Sequence, residues 1–418
     1  MSSQEQKSRP RPTGRAKIGL AMAGGGPLGA MYEVGTLAAL ADCLEGVDLN
    51  DLDAYVGVSA GALVAAALAN GIPPAEMCRI FIETAPGEKE RPLPPGVFMR
   101  PAFGEFARRL ASLPPLIAGA IWQYLTQSGR RNIFAAFERL TRALPTGIFD
   151  GSQIDERFAE TFSKPGRTND FRKLPRKLFL VATDLESGKA VKFGAPGWDH
   201  VPISKAVQAS AALPGLYPPV EIGRRYYVDG ALKKTLHASV ALEQGVKLVL
   251  AVNPLVPYDS DLAVTPHAHA PRRLIEGGLP AVLSQTFRSI IRSRMQSGLA
   301  RYDVEYPDAD IVLFEPNRDD ADVFFTNIFS YASRRRLGEH AYQKTRKELF
   351  ERRHELAPIF ARHGIRLRLD VVTDPARHLV RGTRLQPQPR GPMAVKRKLE
   401  HTLGDLERWL KQRAARAA

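Results

Sequence analysis

The pentapeptide Gly57-Val58-Ser59-Ala60-Gly61 has the residue types and the spacing of a nucleophile elbow. In such an elbow a serine occupies a sharp turn between a strand and a helix, and the flanking glycines let these two elements approach closely. The strand-like run DAYVGV ends in this motif, and the small-residue helical stretch ALVAAALAN follows it. Ser59 is therefore a candidate nucleophile for attack on a carbonyl carbon; the simpler alternative is that Ser59 only caps the following helix.

A glycine-rich loop, GGGPLG, follows the apolar run AKIGLAM and precedes a stretch with apolar residues at helical spacing. Gly24, Gly26 and Gly29 match the GxGxxG spacing of a dinucleotide-binding loop. That function also requires an acidic residue at the end of the next strand, and this strand ends in Gly57-Val58-Ser59 instead. Backbone N–H groups of such a loop can also stabilise the oxyanion that forms when a serine attacks an ester. This second interpretation gives both motifs a role.

The base that activates Ser59 has two candidates. The strand-like RRYYVD ends in Asp229, followed by Gly230 and Ala231, and a carboxylate in that position can face a pocket at the end of a sheet. An Asp-Gly pair is also common in ordinary turns. Among the nine histidines His237 is the best placed, eight residues after Asp229, but it does not follow a strand directly. The residues favour Asp229 and leave His237 as the alternative.

Taken in order, GGGPLG, GVSAG, ASAALPG at 209–215 and DGA resemble the motifs of the patatin-like phospholipases, and the resemblance covers residues 16–350. It implies a catalytic dyad in which Ser59 is the nucleophile and Asp229 is the general base. It also implies that ASAALPG supports the active site and that ATDLESG, at 182–188, forms a core strand and turn.

The same resemblance implies roles for the glycines. Backbone N–H groups of the loop and of the elbow would form the oxyanion hole, and the other small residues would complete the motifs. One departure is that the family commonly has a basic residue within the loop, where this chain has Pro27 and Leu28. The oxyanion set is Gly24, Gly25, Gly26 and Ala60, and the further motif positions are Gly29, Gly57, Gly61, Gly230 and Ala231.

The elements that must position these residues alternate between buried strands and helices, which predicts an α/β fold. The resemblance sharpens this to a three-layer α/β/α core with a mostly parallel central sheet. We expect a disordered segment at 1–15 and a catalytic domain at 16–360, with a helical insertion at 85–150 that selects the lipid. Later strand signals lie at 177–185, 190–193, 224–229, 247–254 and 310–316.

Composition restricts the class of protein. The chain has 59 Lys and Arg against 44 Asp and Glu, and this net charge of +15 favours contact with anionic surfaces. Cys43 and Cys78 lie in apolar stretches and predict buried thiols rather than a disulfide or a metal site. The polar first residues lack the apolar core of a signal peptide, and no stretch is apolar enough to span a membrane. We therefore expect a cytoplasmic protein that needs no metal or organic cofactor.

Residues 361–418 have the composition of a basic linker followed by a tail. Apolar residues recur in the tail on one helical stripe, which Lys and Arg flank. Such a helix can attach the protein peripherally to the inner face of an anionic membrane, or dock on the core or on another subunit. Nucleic acid is a poorer partner, because it would leave the stripe unused. The stripe consists of Val395, Leu399, Leu403, Leu406 and Leu410.

These observations together predict a serine hydrolase that cleaves acyl esters of lipids through an acyl-Ser59 intermediate. One alternative is a lipid acyltransferase, in which an alcohol replaces water at the same serine. Another is a catalytically inactive, basic scaffold that binds membranes. The lipid class, the acyl position and the oligomeric state stay open at this point.

Overall fold

The computed structural model describes residues 16–82, 100–111, 113–115, 117–118, 122, 144–233, 236–262, 274–320, 323–324 and 331–379. Most of the expected insertion, and the expected stripe between Val395 and Leu410, lie outside these residues. Within them, no helix combines the length and apolarity needed to cross a membrane.

At both glycine motifs a described strand is followed by a helix, as expected. The strands are β1 (Ile18–Met22), β2 (Leu44–Glu45), β3 (Ala54–Val58), β4 (Lys177–Asp184), β5 (Ala190–Phe193), β6 (Val220–Ile222), β7 (Arg225–Asp229), β8 (Leu248–Val252), β9 (Asp310–Phe314) and β10 (Arg366–Leu367). The helices are α1 (Gly26–Cys43), α2 (Ala60–Ala69), α3 (Pro74–Phe81), α4 (Phe103–Ala111), α5 (Ser152–Phe162), α6 (Ile203–Ser210), α7 (Ala238–Leu242), α8 (Gly278–Glu305), α9 (Tyr331–Glu351), α10 (Arg353–Arg362) and α11 (Leu369–Val372).

One sheet organises these elements, in the strand order β6-β7-β4-β3-β1-β8-β9, with β5 paired to β4. The strands from β4 to β9 in that order are parallel, whereas β5, β6 and β7 are antiparallel to their neighbours. The mostly parallel sheet is thus confirmed. Met22 pairs with Gly57, so the glycine loop and the elbow leave neighbouring strands at the same edge of the sheet. Such an edge is where open α/β sheets bind ligands.

Both faces of the sheet are covered, which explains why its strands are continuous apolar runs. Leu20 and Met22 face one core, into which α1, α2, α3, α5, α6, α9 and α10 also pack. Ala21, between them in the chain, faces a second core with residues of α7 and with Tyr302 of α8. Helices on both faces make the three layers that the sequence predicts.

The packed structure continues beyond the boundary expected at residue 361. Strand β10 pairs antiparallel with β2, and Val371 and Val372 are buried. The buried guanidinium of Arg346 donates hydrogen bonds to the carbonyl oxygens of these two valines. Residues 361–379 are basic in composition but pack against the catalytic core, because a buried arginine and a short strand hold them there.

Candidate active site

The turn around Ser59 has the backbone geometry of a nucleophile elbow. Ser59 has φ 55° and ψ −123°, and it joins the last residue of β3 to the first of α2. A Cβ atom on Gly57 would lie 2.5 Å from the carbonyl oxygen of Gly61, and a Cβ on Gly61 would lie 2.5 Å from that of Ala23. Both positions therefore require glycine, because strand and helix backbones meet there without space for a side chain.

A second serine holds the elbow. The backbone N–H of Ser59 donates to the hydroxyl of Ser210 at 2.9 Å, and that hydroxyl donates to the carbonyl oxygen of Val181 at 2.6 Å. Ser210 is fully buried at the end of α6, within the ASAALPG segment. The resemblance implied that this segment supports the active site, but it did not single out Ser210, because the contact spans 151 residues of the chain.

Asp229 lies beside Ser59 at the end of β7. Its carboxylate accepts a hydrogen bond from the N–H of Ala231 at 2.8 Å. Burial raises the pKa of Asp229 to about 6, although the Ser59 side chain and the N–H of Ala231 lower it. The carboxylate is therefore ionised at neutral pH yet more basic than an exposed aspartate. A Cβ on Gly230 would overlap the carbonyl oxygen of Val181, so this position also requires glycine.

The glycine loop borders the same serine. A Cβ on Gly24 would lie 3.0 Å from the Cβ of Ser59 and 3.5 Å from its hydroxyl oxygen, so only glycine leaves this space free. Gly25 precedes α1, where it packs against Pro254, and Gly26 begins the helix with φ +60°. A Cβ on Gly26 would meet no atom within 4 Å, which places this residue at open space.

Hydrogen-bond donors are available at this loop. Within the described residues, the N–H groups of Gly25, Gly26 and Ala60 donate to no backbone or side-chain acceptor. Gly25 and Gly26 stand at the N-terminus of α1, and Ala60 at that of α2, where the helix dipoles favour negative charge. The motif position Gly29 donates instead to the carbonyl oxygen of Gly25, inside α1.

His237 lies at the start of α7, where it is buried and has φ 44°. In the described part of the chain, no group of three His, Cys, Asp or Glu side chains is arranged to hold a metal ion. The structure thus brings Ser59, Asp229 and the glycine loop together.

Comparisons with known proteins show what the chain is similar to. The family model described as patatin-like phospholipase matches residues 20–242. Among solved structures, VipD from Legionella pneumophila matches at 15% identity and a TM-score of 0.36, over 81% of this chain and 67% of VipD. The type III effector protein ExoU, a Pseudomonas aeruginosa protein, matches at 14% identity and a TM-score of 0.33, over 82% of this chain and 54% of ExoU.

The matched residues of the family model include the glycine loop, the elbow, the Ser210 segment and Asp229, and they span more than half of the chain. The chain is therefore an enzyme of the patatin-like phospholipase family.

Proposed function

We propose that the chain hydrolyses acyl esters of lipids through a dyad of Ser59 and Asp229. The observation that carries this proposal is that the buried Asp229 carboxylate lies beside the Ser59 side chain, which lowers its pKa, on a strained elbow next to a glycine loop. A nucleophile in contact with its base, next to unoccupied N–H donors, is the arrangement that acyl transfer requires.

The first half of the reaction forms an acyl-enzyme. The Ser59 oxygen attacks the ester carbonyl carbon while its proton passes to Asp229, and the carbonyl oxygen becomes an oxyanion. The N–H groups of Gly25, Gly26 and Ala60 would donate to this oxyanion. When the tetrahedral intermediate collapses, the bond to the leaving alcohol breaks, and Asp229 returns the proton to that oxygen.

The second half regenerates the enzyme. A water molecule attacks the acyl carbon of acyl-Ser59 and gives its proton to Asp229, and the bond between the acyl group and the Ser59 oxygen then breaks. The proton returns to Ser59, and the fatty acid leaves. A carboxylate with a pKa of about 6 suits these transfers, because it is ionised at neutral pH but accepts a proton more readily than an exposed aspartate.

Pro27 and Leu28 stand where the family commonly has a basic residue. Leu28 is partly exposed, and Pro27 lacks only its own N–H, so the N–H groups of Gly25 and Gly26 are retained. We infer that the loop stabilises the oxyanion through its backbone and does not hold a phosphate headgroup through charge.

A labelling and product experiment tests this function. A fluorophosphonate should label the wild-type chain at Ser59, whereas Ser59→Ala should stay unlabelled and release no fatty acid from a mixed lipid extract. Labelling of Ser59→Ala, or fatty-acid release by it, would refute the assignment. Adding an alcohol acceptor distinguishes hydrolysis from acyl transfer: a new ester product in place of free fatty acid would identify the chain as an acyltransferase.

A further inference from the structure

Helix α4 exposes apolar side chains and buries a carboxylate, the reverse of an ordinary surface helix. Glu105 is buried, whereas Phe103 is 73% and Leu110 is 67% exposed. The Glu105 carboxylate accepts hydrogen bonds from the N–H and the hydroxyl of Thr146, at 2.9 and 2.7 Å. A surface helix ordinarily turns its apolar side toward the core. Contiguous exposed apolar side chains of this kind mark an interaction surface.

Hydrogen bonds connect α4 to a neighbouring loop with further exposed apolar residues. The N–H of Ala102 donates to the carbonyl oxygen of Ile148 at 3.0 Å, and the N–H of Ile148 donates to that of Gly215 at 3.3 Å. Ile148 is 51% and Leu216 is 40% exposed. We name the whole surface the apolar rim; it consists of Phe103, Phe106, Leu110, Ile148 and Leu216.

The apolar rim is attached to the catalytic base through the same loop. The backbone N–H of Asp229 donates to the carbonyl oxygen of Ala212 at 2.9 Å, and Gly215 and Leu216 follow Ala212 closely in the chain. The rim therefore lies on the side of the active site that the ASAALPG segment forms.

The exposed charges in and just before α4 are basic, and Asp150, two residues after Ile148, is the partly exposed acidic residue beside them. Arg100 and Arg108 are exposed, whereas the acidic member of α4, Glu105, faces inward, bonds to Thr146 and has Arg109 at 3.5 Å. Exposed apolar side chains flanked by arginines are complementary to the interface of an anionic membrane. Ester bonds of membrane lipids lie just below the headgroups, so an enzyme that reaches them must place apolar side chains at that depth.

We propose that the apolar rim inserts into a lipid surface with anionic headgroups and thereby presents the Ser59–Asp229 site to ester bonds of that surface. This inference rests on the proposed function, because it takes the lipid that the site cleaves as the partner that the rim contacts.

The experiment compares the full-length chain with Phe103→Ser/Leu110→Ser and with Ile148→Ser. Leu369→Ser is the matched control, since Leu369 is also exposed, at 47%, but lies next to the C-terminal end of α1, far from the glycine loop. Each protein is tested for co-sedimentation with vesicles of phosphatidylcholine and phosphatidylglycerol, for hydrolysis of those lipids, and for hydrolysis of soluble p-nitrophenyl butyrate. Binding is also measured at about 1 M salt, where charge attraction from any other basic segment is screened to about 3 Å.

We expect the double variant to bind vesicles in high salt about a hundredfold more weakly, because each of the two large apolar side chains removed from a lipid contact reduces partitioning by about tenfold. Its vesicle hydrolysis should fall in parallel, while butyrate hydrolysis and the thermal midpoint stay at wild-type values. Ile148→Ser should show a smaller loss of the same kind, and Leu369→Ser none.

Three outcomes would overturn the inference: unchanged vesicle binding in both rim variants, equal loss on soluble and vesicle substrates, or a wild-type dimer that the rim substitutions dissociate. The two proposals fail separately. Vesicle binding that depends on the rim, without any ester hydrolysis by the wild type, would refute the proposed function alone. Vesicle hydrolysis that the rim substitutions leave unchanged would refute the role of the rim alone.

Discussion

Two units of strand, glycine turn and helix lie side by side at the centre of the sheet, and they use glycine for opposite purposes. In the β3–α2 unit, a Cβ on Gly57 or Gly61 would lie 2.5 Å from a backbone oxygen. In the β1–α1 unit, a Cβ on Gly26 would meet nothing within 4 Å. Gly57 and Gly61 thus allow two backbones to touch, whereas Gly26 borders open space that a substrate can occupy.

In the proposed function, the tightly packed glycines hold the nucleophile and the open glycine faces the substrate. Close packing at Gly57 and Gly61 keeps Ser59 at a positive φ, a conformation that costs roughly 1–3 kcal/mol and persists only where neighbours enforce it. The open loop at Gly26 has no such packing, but it has N–H donors at a helix N-terminus. The strained serine belongs to the elbow, whereas two of the three N–H groups without an acceptor belong to the loop.

The largest loss of activity should follow from removing the proposed nucleophile or the proposed base. We expect Ser59→Ala and Asp229→Asn each to lower kcat by ~10⁴ or more, because nucleophile and base act as one unit. Steady-state hydrolysis of a soluble ester measures this loss, and circular dichroism checks that the fold persists.

His237→Ala is the matched control for the dyad. It should retain most of the activity, because in the proposed dyad Asp229 alone accepts the proton of Ser59. An inactive but folded His237→Ala would refute a dyad and indicate a triad.

The next largest effect should separate the two uses of glycine. Gly26→Val should lower kcat by ~10², the loss typical of a missing oxyanion donor, because a β-branched residue cannot keep the positive φ that orients the N–H. Gly71→Val is the control, since Gly71 also has a positive φ, of 76°, and open surroundings, but lies beyond the far end of α2.

Both valine variants should lose similar stability in thermal unfolding, and only Gly26→Val should lose kcat. Equal activity in the two folded variants would mean that the loop does not bind the oxyanion. Gly61→Ala would differ from both, because its Cβ meets the Ala23 oxygen at 2.5 Å and the protein should therefore unfold more easily.

The strands of this comparison could be predicted from the sequence. Strands buried on both faces are continuous apolar runs, and β1, β3, β4 and β8 lie where those runs predict them. Ser59 and Asp229 could be chosen as candidates because each stands at the end of a strand and has small neighbours. These signals are local, so a single sequence contains them.

What could not be predicted depends on contacts between distant parts of the chain. The basic composition after residue 361 indicated a tail, but Arg346 and β2 hold residues up to 379 in the core. The sequence predicted a helical insertion that includes α4, but it does not tell which side of α4 faces outward, and the Glu105–Thr146 contact sets that. The role of Ser210 likewise depends on a partner far away in the sequence.

A smaller loss should follow when the support of the elbow is removed. Ser210→Ala leaves the N–H of Ser59 and the carbonyl oxygen of Val181 without this partner, so the elbow should relax and kcat should fall about tenfold at nearly unchanged KM. Ser204→Ala is the control, because Ser204 is also buried on α6 but bonds to Asn169. Both variants should have a lower free energy of unfolding. An equal loss of kcat in both would show that Ser210 supports the fold and does not position Ser59.

The smallest effect, and the sharpest test of which group is the base, is the pH dependence. Asp229 can accept a proton only when ionised, so kcat/KM should be half-maximal near its pKa of about 6 and fall about tenfold for each further pH unit below it. A histidine would titrate in the same range, but carboxyl ionisation has a small enthalpy and imidazole ionisation a large one, so the midpoint should barely move between 15 and 35 °C (roughly the usable range). A midpoint that shifts strongly with temperature, or that disappears in His237→Ala, would contradict Asp229 as the base.

The free energy of unfolding should change in the opposite direction to the activity over the same pH range. Because the folded pKa of about 6 exceeds the ordinary 3.8, the folded chain binds a proton that the unfolded chain releases, and the free energy of unfolding should fall as pH rises between those values. Ionising the base thus switches the enzyme on while it weakens the fold, and Asp229→Asn should abolish both dependences together.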